Sequence, residues 1–390
     1  GVGSADLARV CAERCDPASV ARLVATPEDG ALEAAIEAIV AEELPGKVAF
    51  EPLDAFWSRR WLWCVNGSHN VRMEQVRNMT RVHRPGIIRH YRREFAEEHF
   101  DEPLSGWDAQ VVATAMEKLE HGKTRALMAC DSYAYFAFQH MAGPIQDAWR
   151  GRRVILDPGR GGHLGVVDRV RSGLARGGFS VMLDYDDFNS QHSTAALQLV
   201  TRVLARHTGY PPHLAERLVQ SWAQTDLWLG NERVGRVAGT LMSGHRMTSI
   251  MNSVLNAAYV RVAAGVAYDK YYSVHVGDDV YMQCPALSDV RALVRGLAAI
   301  GCRMNPLKQS VGRDRAEFLR IGISEREAHG YLARSVASFV SGNWASELRL
   351  STRELWESVR NHVWTLRNRG FGRWVARVGA GVCRGLHLTR

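Results

Sequence analysis

Residues 271–284 read Tyr271-Tyr-Ser-Val-His-Val-Gly277-Asp278-Asp279-Val-Tyr-Met-Gln-Cys284. Tyr and Val recur in 271–276 and open 280–284, and both segments read as short strands. Gly277-Asp278-Asp279 lies between them, and its turn chemistry predicts a tight hairpin. The hairpin tip then carries two adjacent carboxylates. A solvated turn would hold them equally well, so their surroundings decide what they are for.

Upstream, Phe179-Ser-Val-Met-Leu183 is an apolar run, a candidate buried strand ending at Asp184. Asp186 and Asp187 follow, giving three acids in four residues, a costly crowd unless cations meet them. Ser193 reads as the cap of a helix with Leu197, Val200 and Leu204 on one face. Ser243-Gly244 leads into a second helix over 246–265. Thr248 and Asn252 are four apart there, share a face, and can both hydrogen-bond a hydroxyl. Ser288 is expected to cap a third helix, with Val290, Leu293, Val294, Leu297 and Ala298 as its buried stripe and Gly301 closing it. The order strand, helix, helix, hairpin, helix predicts an α+β unit, an antiparallel sheet with helices packed on one face. In such a sheet Asp184 and Asp278 converge at one edge. Two carboxylates there can hold two Mg²⁺ ions about 3.5–4 Å apart, and Mn²⁺ suits the same ligands.

The whole chain has 390 residues, 46% hydrophobic and 23% charged, which excludes disorder, collagen and coiled coil as overall descriptions. No run of about 18 residues is both apolar and uncharged, so no membrane span is expected. The start lacks a signal-peptide pattern and an initiator Met, and Gly1 is expected to mark a cut from something longer. Seven cysteines include no CxxC pair, and Cys11 and Cys15 have no second pair to complete a zinc site; all are expected to be reduced thiols. The net charge of +8, carried more by Arg than Lys, favours a polyanionic partner. The first 45 residues read as helices. Residues 56–64 cluster three Trp with two Arg. The stretch Arg72–Arg93, whose only acid is Glu74, reads either as a solvated basic helix face or, taken together, as a nucleic-acid groove. Residues 151–178, rich in Gly and Arg, are expected to be loops. Gly159–Gly165 fits neither dinucleotide nor phosphate-loop spacing.

Taken together, three strings resemble viral RNA-directed RNA polymerases. Asp184-Tyr-Asp-Asp-Phe-Asn-Ser-Gln-His192, Ser243-Gly-x-x-x-Thr248-x-x-x-Asn252-Ser253 and Gly277-Asp-Asp279 look like polymerase motifs A, B and C, in that order. The wording of the first is most similar to totiviruses and their double-stranded-RNA relatives. Lys118-Leu-Glu-His-Gly-Lys123-Thr-Arg125 looks like motif F, Lys308 like the motif D lysine and Glu317-Phe-Leu-Arg320 like motif E.

The resemblance implies a right-hand α+β polymerase fold: an N-terminal region and fingers over 1–178, a palm over 179–330 with a fingers insertion at about 206–240, and a short, partial thumb over 331–390. It implies that Asp184 and Asp278 bind the catalytic metals with Asp279 supporting. Lys118, Lys123 and Arg125 would hold the incoming triphosphate, and Lys308 would protonate the leaving pyrophosphate. Asn189 stands where many relatives carry the Asp that reads the ribose 2′-hydroxyl. With Ser243, Gly244, Thr248 and Asn252 it would select ribonucleotides, while Asp187 would support from behind. The partners implied are an RNA template and product duplex, ribonucleoside triphosphates and a capsid protein, including as a fusion. The location implied is the virion interior or host cytoplasm. The C-terminal 40 residues, with eight Arg, two Glu and Trp356, Trp364 and Trp374, would grip duplex RNA, or form an amphipathic helix packed by its Trp. Two rivals stand beside this. A reverse transcriptase would carry an aromatic residue where Val276-Gly277 precedes the Asp pair. An inactive RNA-binding fragment would not need Asp184, Asp278, Asp279, Lys123 and Arg125 intact.

Overall fold

The computed structural model describes residues 3–65, 67, 69–77, 79, 91–120, 123–157, 162–340 and 351–385. The chain opens with α1 (Leu7–Cys15), α2 (Pro17–Leu23) and α3 (Asp29–Glu43), as the helical spacing predicts. Asp6 and Asp16 cap the first two with their carboxylates. Helix α3 buries Leu32, Ala35, Ile36, Ile39 and Val40, the i, i+3, i+4 stripe of a core-facing helix. Short helices α4 (Leu53–Ser58), α5 (Arg60–Trp63), α6 (Val71–Val76) and α7 (Arg92–Glu98) follow. The Trp–Arg cluster is a packing node: Trp57 is buried, Trp63 stacks on Phe56 at 4.2 Å, and buried Arg60 donates to the Ala96 carbonyl at 2.9 Å. Arg77 pairs with Asp108 at 2.8 Å and the Arg92 guanidinium lies 3.7 Å from the Tyr135 ring centroid, so both serve local packing. Residues 80–90, the middle of the basic stretch, lie outside the described residues.

A mixed sheet is built next. Strands β1 (Val111–Glu120) and β2 (Lys123–Cys130) form an antiparallel hairpin, and α8 (Ser132–Ala148) leaves it. Buried Asp131 ties them, accepting from Val112 N at 2.7 Å and Ala134 N at 2.9 Å. Helix α9 (Gly162–Leu174) corrects the expectation of loops over 151–178. Val166, Val167 and Val170 are buried at helical spacing, and that short stripe outweighs the Gly and Arg content around it. Residues 158–161, the first part of the Gly159–Gly165 segment, lie outside the described residues.

Strand β3 (Phe179–Leu183) precedes α10 (Thr194–Thr208), which Ser193 caps through Ala196 N at 3.1 Å. Helix α11 (Pro212–Ser221) and strands β4 (Thr225–Leu229) and β5 (Glu232–Arg236) follow, and the first sheet takes the order β2-β1-β4-β5, with β1 and β4 parallel. Helix α12 (Thr248–Ala264) is the central core helix, burying Ile250, Met251, Val254, Leu255, Ala257, Ala258, Tyr259 and Val260. With the short turn after it, it is long and apolar enough to cross a membrane, yet more than half of it is buried inside this fold, against α3, α10 and α13 (Leu287–Ala299).

Strands β6 (Tyr272–Val276) and β7 (Asp279–Cys284) form the expected hairpin. Helix α13 starts one residue before Ser288, so Ser288 is not its cap; Asp289 instead accepts from Ala286 N at 3.0 Å. Val290, Leu293 and Leu297 form its buried stripe, while Val294 and Ala298 are exposed. Strand β8 (Ser310–Gly312) completes a four-stranded antiparallel sheet of order β6-β7-β3-β8. Strands β9 (Arg315–Phe318), β10 (Ile321–Ser324) and β11 (Ala328–Gly330) make a small antiparallel sheet.

The central sheet is covered on both faces, not one. Val181, Leu183, Val280, Met282 and Cys284 join the main core with α12 and α13, while Met182, Val274 and Tyr281 pack with Val166, Val170, Phe318 and Ile321 from α9, β9 and β10. The run 179–183, apolar but for buried Ser180, is the signature of a strand buried on both sides. Helices α14 (Leu332–Val340), α15 (Thr352–Asn368) and α16 (Val375–Gly385) end the described chain. Trp356, Trp364 and Trp374 point outward, each beneath an Arg (Arg360, Arg367, Arg377), while Val359, Leu366 and Val375 do the packing.

Candidate active site

The register of the central sheet decides where the acids go. Leu183 pairs with Val280, so Asp184 leaves β3 beside Asp279, the first residue of β7. Val276 pairs with Asp279, leaving a two-residue turn of Gly277 and Asp278. Gly277 has φ +58° while Asp278 keeps a negative φ, the pattern of a type II′ hairpin turn, which calls for glycine at its first position. Asp184, Asp278 and Asp279 are thus delivered to one edge by the backbone alone, as the sequence predicts.

Lys308 joins them. Its Nζ lies 3.2 Å from both carboxylate oxygens of Asp184. Both side chains are partly exposed, so the pair is an open one. Asp279 is half-buried, and burial together with the charges of Asp278 and Asp184 pushes its carboxyl up to about 7; Arg320, at the turn between β9 and β10, opposes this. Among the described residues no three His, Cys, Asp or Glu side chains are gathered into a closed ligand cage. The arrangement is an open edge of oxygen donors. Crowded carboxylates that raise one another's proton affinity are the donor chemistry a hard divalent cation relieves, and such a cation keeps waters and substrate oxygens in its remaining positions.

Two supports hold this edge that sequence reasoning passed over. Gln309 brackets the Asp184 backbone, donating from Nε2 to the Asp184 carbonyl at 2.7 Å and accepting from Asp184 N at 3.3 Å. Helix α12 grips the turn: Ser253 Oγ accepts from Gly277 N at 2.8 Å, and Asn256 Nδ2 donates to the carbonyls of Gly277 (2.9 Å) and Asp279 (3.2 Å). The Asn256 carbonyl in turn meets His275 Nδ1 at 3.1 Å. Asn256 lies four residues beyond Asn252, on the same helix face, and that spacing is the signal that would have found it.

The second group forms around α12's start. Thr248 and Asn252 share a partly exposed face. Thr248 Oγ1 donates to the Met242 and His245 carbonyls at 3.1 and 2.7 Å, closing the first turn. Asn252 Nδ2 donates to Asn189 Oδ1 at 2.8 Å, so the residues expected to read the ribose touch each other. Asp187 sits in the left-handed region (φ +41°), 3.5 Å from buried Arg14 of α1, which also donates to Thr240 Oγ1 at 2.6 Å. Arg14 has no sequence signal; only the fold brings α1 there.

Ser243 and Gly244 dock on β2. Met128 N donates to Ser243 Oγ at 3.0 Å and Gly244 N to the Met128 carbonyl at 2.8 Å. A Cβ on Gly244 would lie 2.7 Å from the Met128 carbonyl and 2.8 Å from Ala129 Cα, so glycine is required by close approach. Ser243 is thereby occupied as a backbone acceptor. Lys118, Lys123 and Arg125 lie on the far half of the β1–β2 hairpin, with Lys118 directly across from Arg125 and both exposed. At about 3.3 Å per residue, Arg125 and Lys123 stand roughly 10 and 17 Å along the strand from the Met128 anchor. They belong to a different sheet from the carboxylates.

A family model described as viral RNA-directed RNA-polymerase matches residues 1–344. The chain is 44% identical over 336 residues to the probable RNA-directed RNA polymerase of Helminthosporium victoriae virus-190S, covering 85% of this chain and 39% of that protein. It is 39% identical over 357 residues to that of Leishmania RNA virus 1 - 1 (isolate Leishmania guyanensis), covering 91% and 40%. The chain therefore spans about two fifths of the length of these relatives. Among solved structures, the RNA-dependent RNA polymerase of a human picorbirnavirus, an insertion-loop deletion mutant, superposes with a TM-score of 0.66 at 13% identity, over 94% of this chain and 73% of that one. That likeness fixes the fold as the viral polymerase fold. The match to residues 1–344 and the two long alignments establish that this chain belongs to the viral RNA-directed RNA polymerase family, among totivirus-like members.

Proposed function

We propose that this chain is the catalytic portion of a polymerase that copies RNA from an RNA template, replicating and transcribing a viral double-stranded RNA genome. The observation that carries this is the sheet edge at which Asp184, Asp278 and Asp279 meet, with Lys308 on Asp184. Asp184 and Asp278 would hold divalent ions, Mg²⁺ or Mn²⁺, with Asp279 beside them. When bound, such ions lower the pKa of a primer 3′-hydroxyl and offset charge on the departing pyrophosphate. Lys308, paired with Asp184, would hand a proton to that pyrophosphate. Lys118, Lys123 and Arg125 bind the triphosphate from the β1–β2 hairpin. Asn189 and Asn252, as one hydrogen-bonded pair, read the ribose, with Thr248 on the same helix face. Gly244 keeps the α12 entrance against β2.

In this assignment residues 1–178 form the N-terminal region and fingers, 179–330 the palm with an insertion at about 206–240, and 331–390 the thumb. The substrates are ribonucleoside triphosphates and an RNA template, the place of work a virion interior or host cytoplasm, and the neighbour a capsid protein.

Ribonucleotide incorporation on a single-stranded RNA template with Mg²⁺ tests this, run beside Asp278→Asn and a deoxynucleotide lane. Template-dependent ribonucleotide product, absent from Asp278→Asn, is the expected result. A deoxynucleotide preference would transfer the chain to reverse transcription. RNA binding without product in any lane would leave an RNA-binding fragment.

A further inference from the structure

We infer that His192 is a positioning residue for ribose selection: through Asn252 it fixes which end of the Asn189 amide faces the nucleotide, and Tyr259 holds His192 in that role. This rests on the polymerase reading above and extends it to two residues, His192 at the end of the first motif string and Tyr259 outside any, that were given no role there.

An amide side chain can present either its carbonyl or its NH₂ at nearly the same cost, because the two ends have almost the same shape. A polar side chain that must discriminate a hydroxyl therefore needs something to break that degeneracy. Behind Asn189 there is a coupled relay. Tyr259 OH lies 3.2 Å from His192 Nδ1, His192 Nε2 lies 2.8 Å from Asn252 Oδ1, and Asn252 Nδ2 donates to Asn189 Oδ1 at 2.8 Å. With a carbonyl facing it, Nε2 carries the ring proton and donates. Nδ1 then accepts from the tyrosine hydroxyl. No one bond reverses alone: turning the Asn189 amide would require turning the Asn252 amide and moving the imidazole proton to Nδ1.

The deep end cannot turn. His192 is fully buried, edge-on to Phe188 with ring centroids 4.4 Å apart, and Tyr259 is fully buried as well. Burial lowers the His192 imidazole to about 4, so at neutral pH it holds one proton and offers one donor and one acceptor. The backbone is pinned on both sides, since the His192 carbonyl accepts from Thr240 N at 3.0 Å and the Asn189 carbonyl from Leu241 N at 2.9 Å. The consequence at the exposed end is definite. Asn189 Oδ1 is consumed by the relay, while among the described residues its Nδ2 has no hydrogen-bond partner. Asn189 thus offers a donor, and the group it selects must accept: a 2′-hydroxyl does so through its oxygen, and a 2′-deoxyribose has nothing to offer.

The test compares ribo- with deoxyribonucleotide use in His192→Phe, Tyr259→Phe and Asn189→Ala, both as incorporation rates with Mg²⁺ and as equilibrium competition of ATP against dATP. His192→Phe keeps an aromatic ring and removes the donor to Asn252. It is expected to reduce the ribonucleotide preference about tenfold, the usual consequence of one lost buried hydrogen bond, and Tyr259→Phe to reduce it about two- to threefold. Adding His192→Phe to Asn189→Ala should change the preference no further, because the relay then has nothing to orient. A residue that only packs would slow both nucleotides alike and leave the ratio untouched, so an unchanged ratio in both variants would overturn the relay. Should His192→Phe fail to fold, as judged by circular dichroism, Tyr259→Phe decides by the same ratio. A wild-type chain that favours ribonucleotides in neither assay would overturn the polymerase reading and the relay together. A wild-type preference preserved in the variants would overturn the relay alone.

Discussion

Two hairpins carry the charges of the candidate site, and they are built in opposite ways. The β6–β7 hairpin brings Asp278 and Asp279 on strands whose middle residues are buried, and α12 holds its turn through Ser253 and Asn256. The β1–β2 hairpin brings Lys118, Lys123 and Arg125 on a stem whose outer half exposes Met116 and Leu119 to solvent. The first is fixed at its tip and the second at its base, by Ser243 and Gly244 on Met128. The contrast fits what each is proposed to meet. Carboxylates that hold small hard ions need their geometry set before the ions arrive. Cations that meet a flexible triphosphate need reach more than rigidity.

Replacing Asp278 by Asn gives the sharpest break in this contrast, since it removes a charge proposed to bind metal without changing shape. The expected loss is several orders of magnitude in turnover, with template binding intact, as filter binding to RNA beside single-turnover kinetics would check. Asn256→Ala attacks the same hairpin without touching an acid. It frees two turn carbonyls and leaves Nδ1 of buried His275 without its partner, costing about 1–3 kcal/mol of stability. Turnover is expected to fall about 100-fold from misplacement of the tip, with the KM for nucleotide little changed. Should turnover follow stability alone, with full activity at low temperature, the tip is not held by Asn256. Arg125→Ala, on the other hairpin, is expected to do the reverse: about a tenfold rise in KM, a smaller change in kcat, and a salt dependence weaker than wild type. A kcat-only effect there would mean the two hairpins are not divided as described.

How much of this the sequence disclosed depended on the range of each interaction. The β6–β7 turn was legible because Gly277 and the flanking apolar runs are local signals. The convergence of Asp184 with it followed from two strands that had only to be neighbours. Helix α9 was not legible, because its short valine stripe is outvoted locally by Gly and Arg and acquires meaning only against Tyr281 and Phe318 of other elements. The fault at Ser288 was of the same kind: Asp289 one residue later reaches the Ala286 amide and takes the cap. The supports of the site were hidden for a different reason. Arg14 approaches Asp187 across more than 170 residues of chain, and Gln309 and Asn256 act on backbone atoms, which leave no pattern in the residues they hold.

The smallest effect concerns protons. His275 in β6 is fully buried and burial lowers its imidazole to about 3, as with His192 (about 4) and His245 (about 3). All three lie below the ordinary value near 6.5, so between pH 6.5 and about 4 the unfolded chain binds protons that the folded chain refuses. The stability they contribute is fully present above pH 6.5 and is lost as pH falls, by at most ~1.4 kcal/mol per pH unit for each imidazole. Replacing His275 by Gln should therefore make the decline in unfolding midpoint between pH 7 and pH 5 shallower by about one imidazole's share, whatever it does to stability at pH 7. The slope is the quantity to compare, because the lost bond to Asn256 lowers stability at every pH and cancels from it. An unchanged slope would mean that the β6 imidazole is reached by solvent, and the contrast between a sealed carboxylate hairpin and an open cationic one would lose its physical basis.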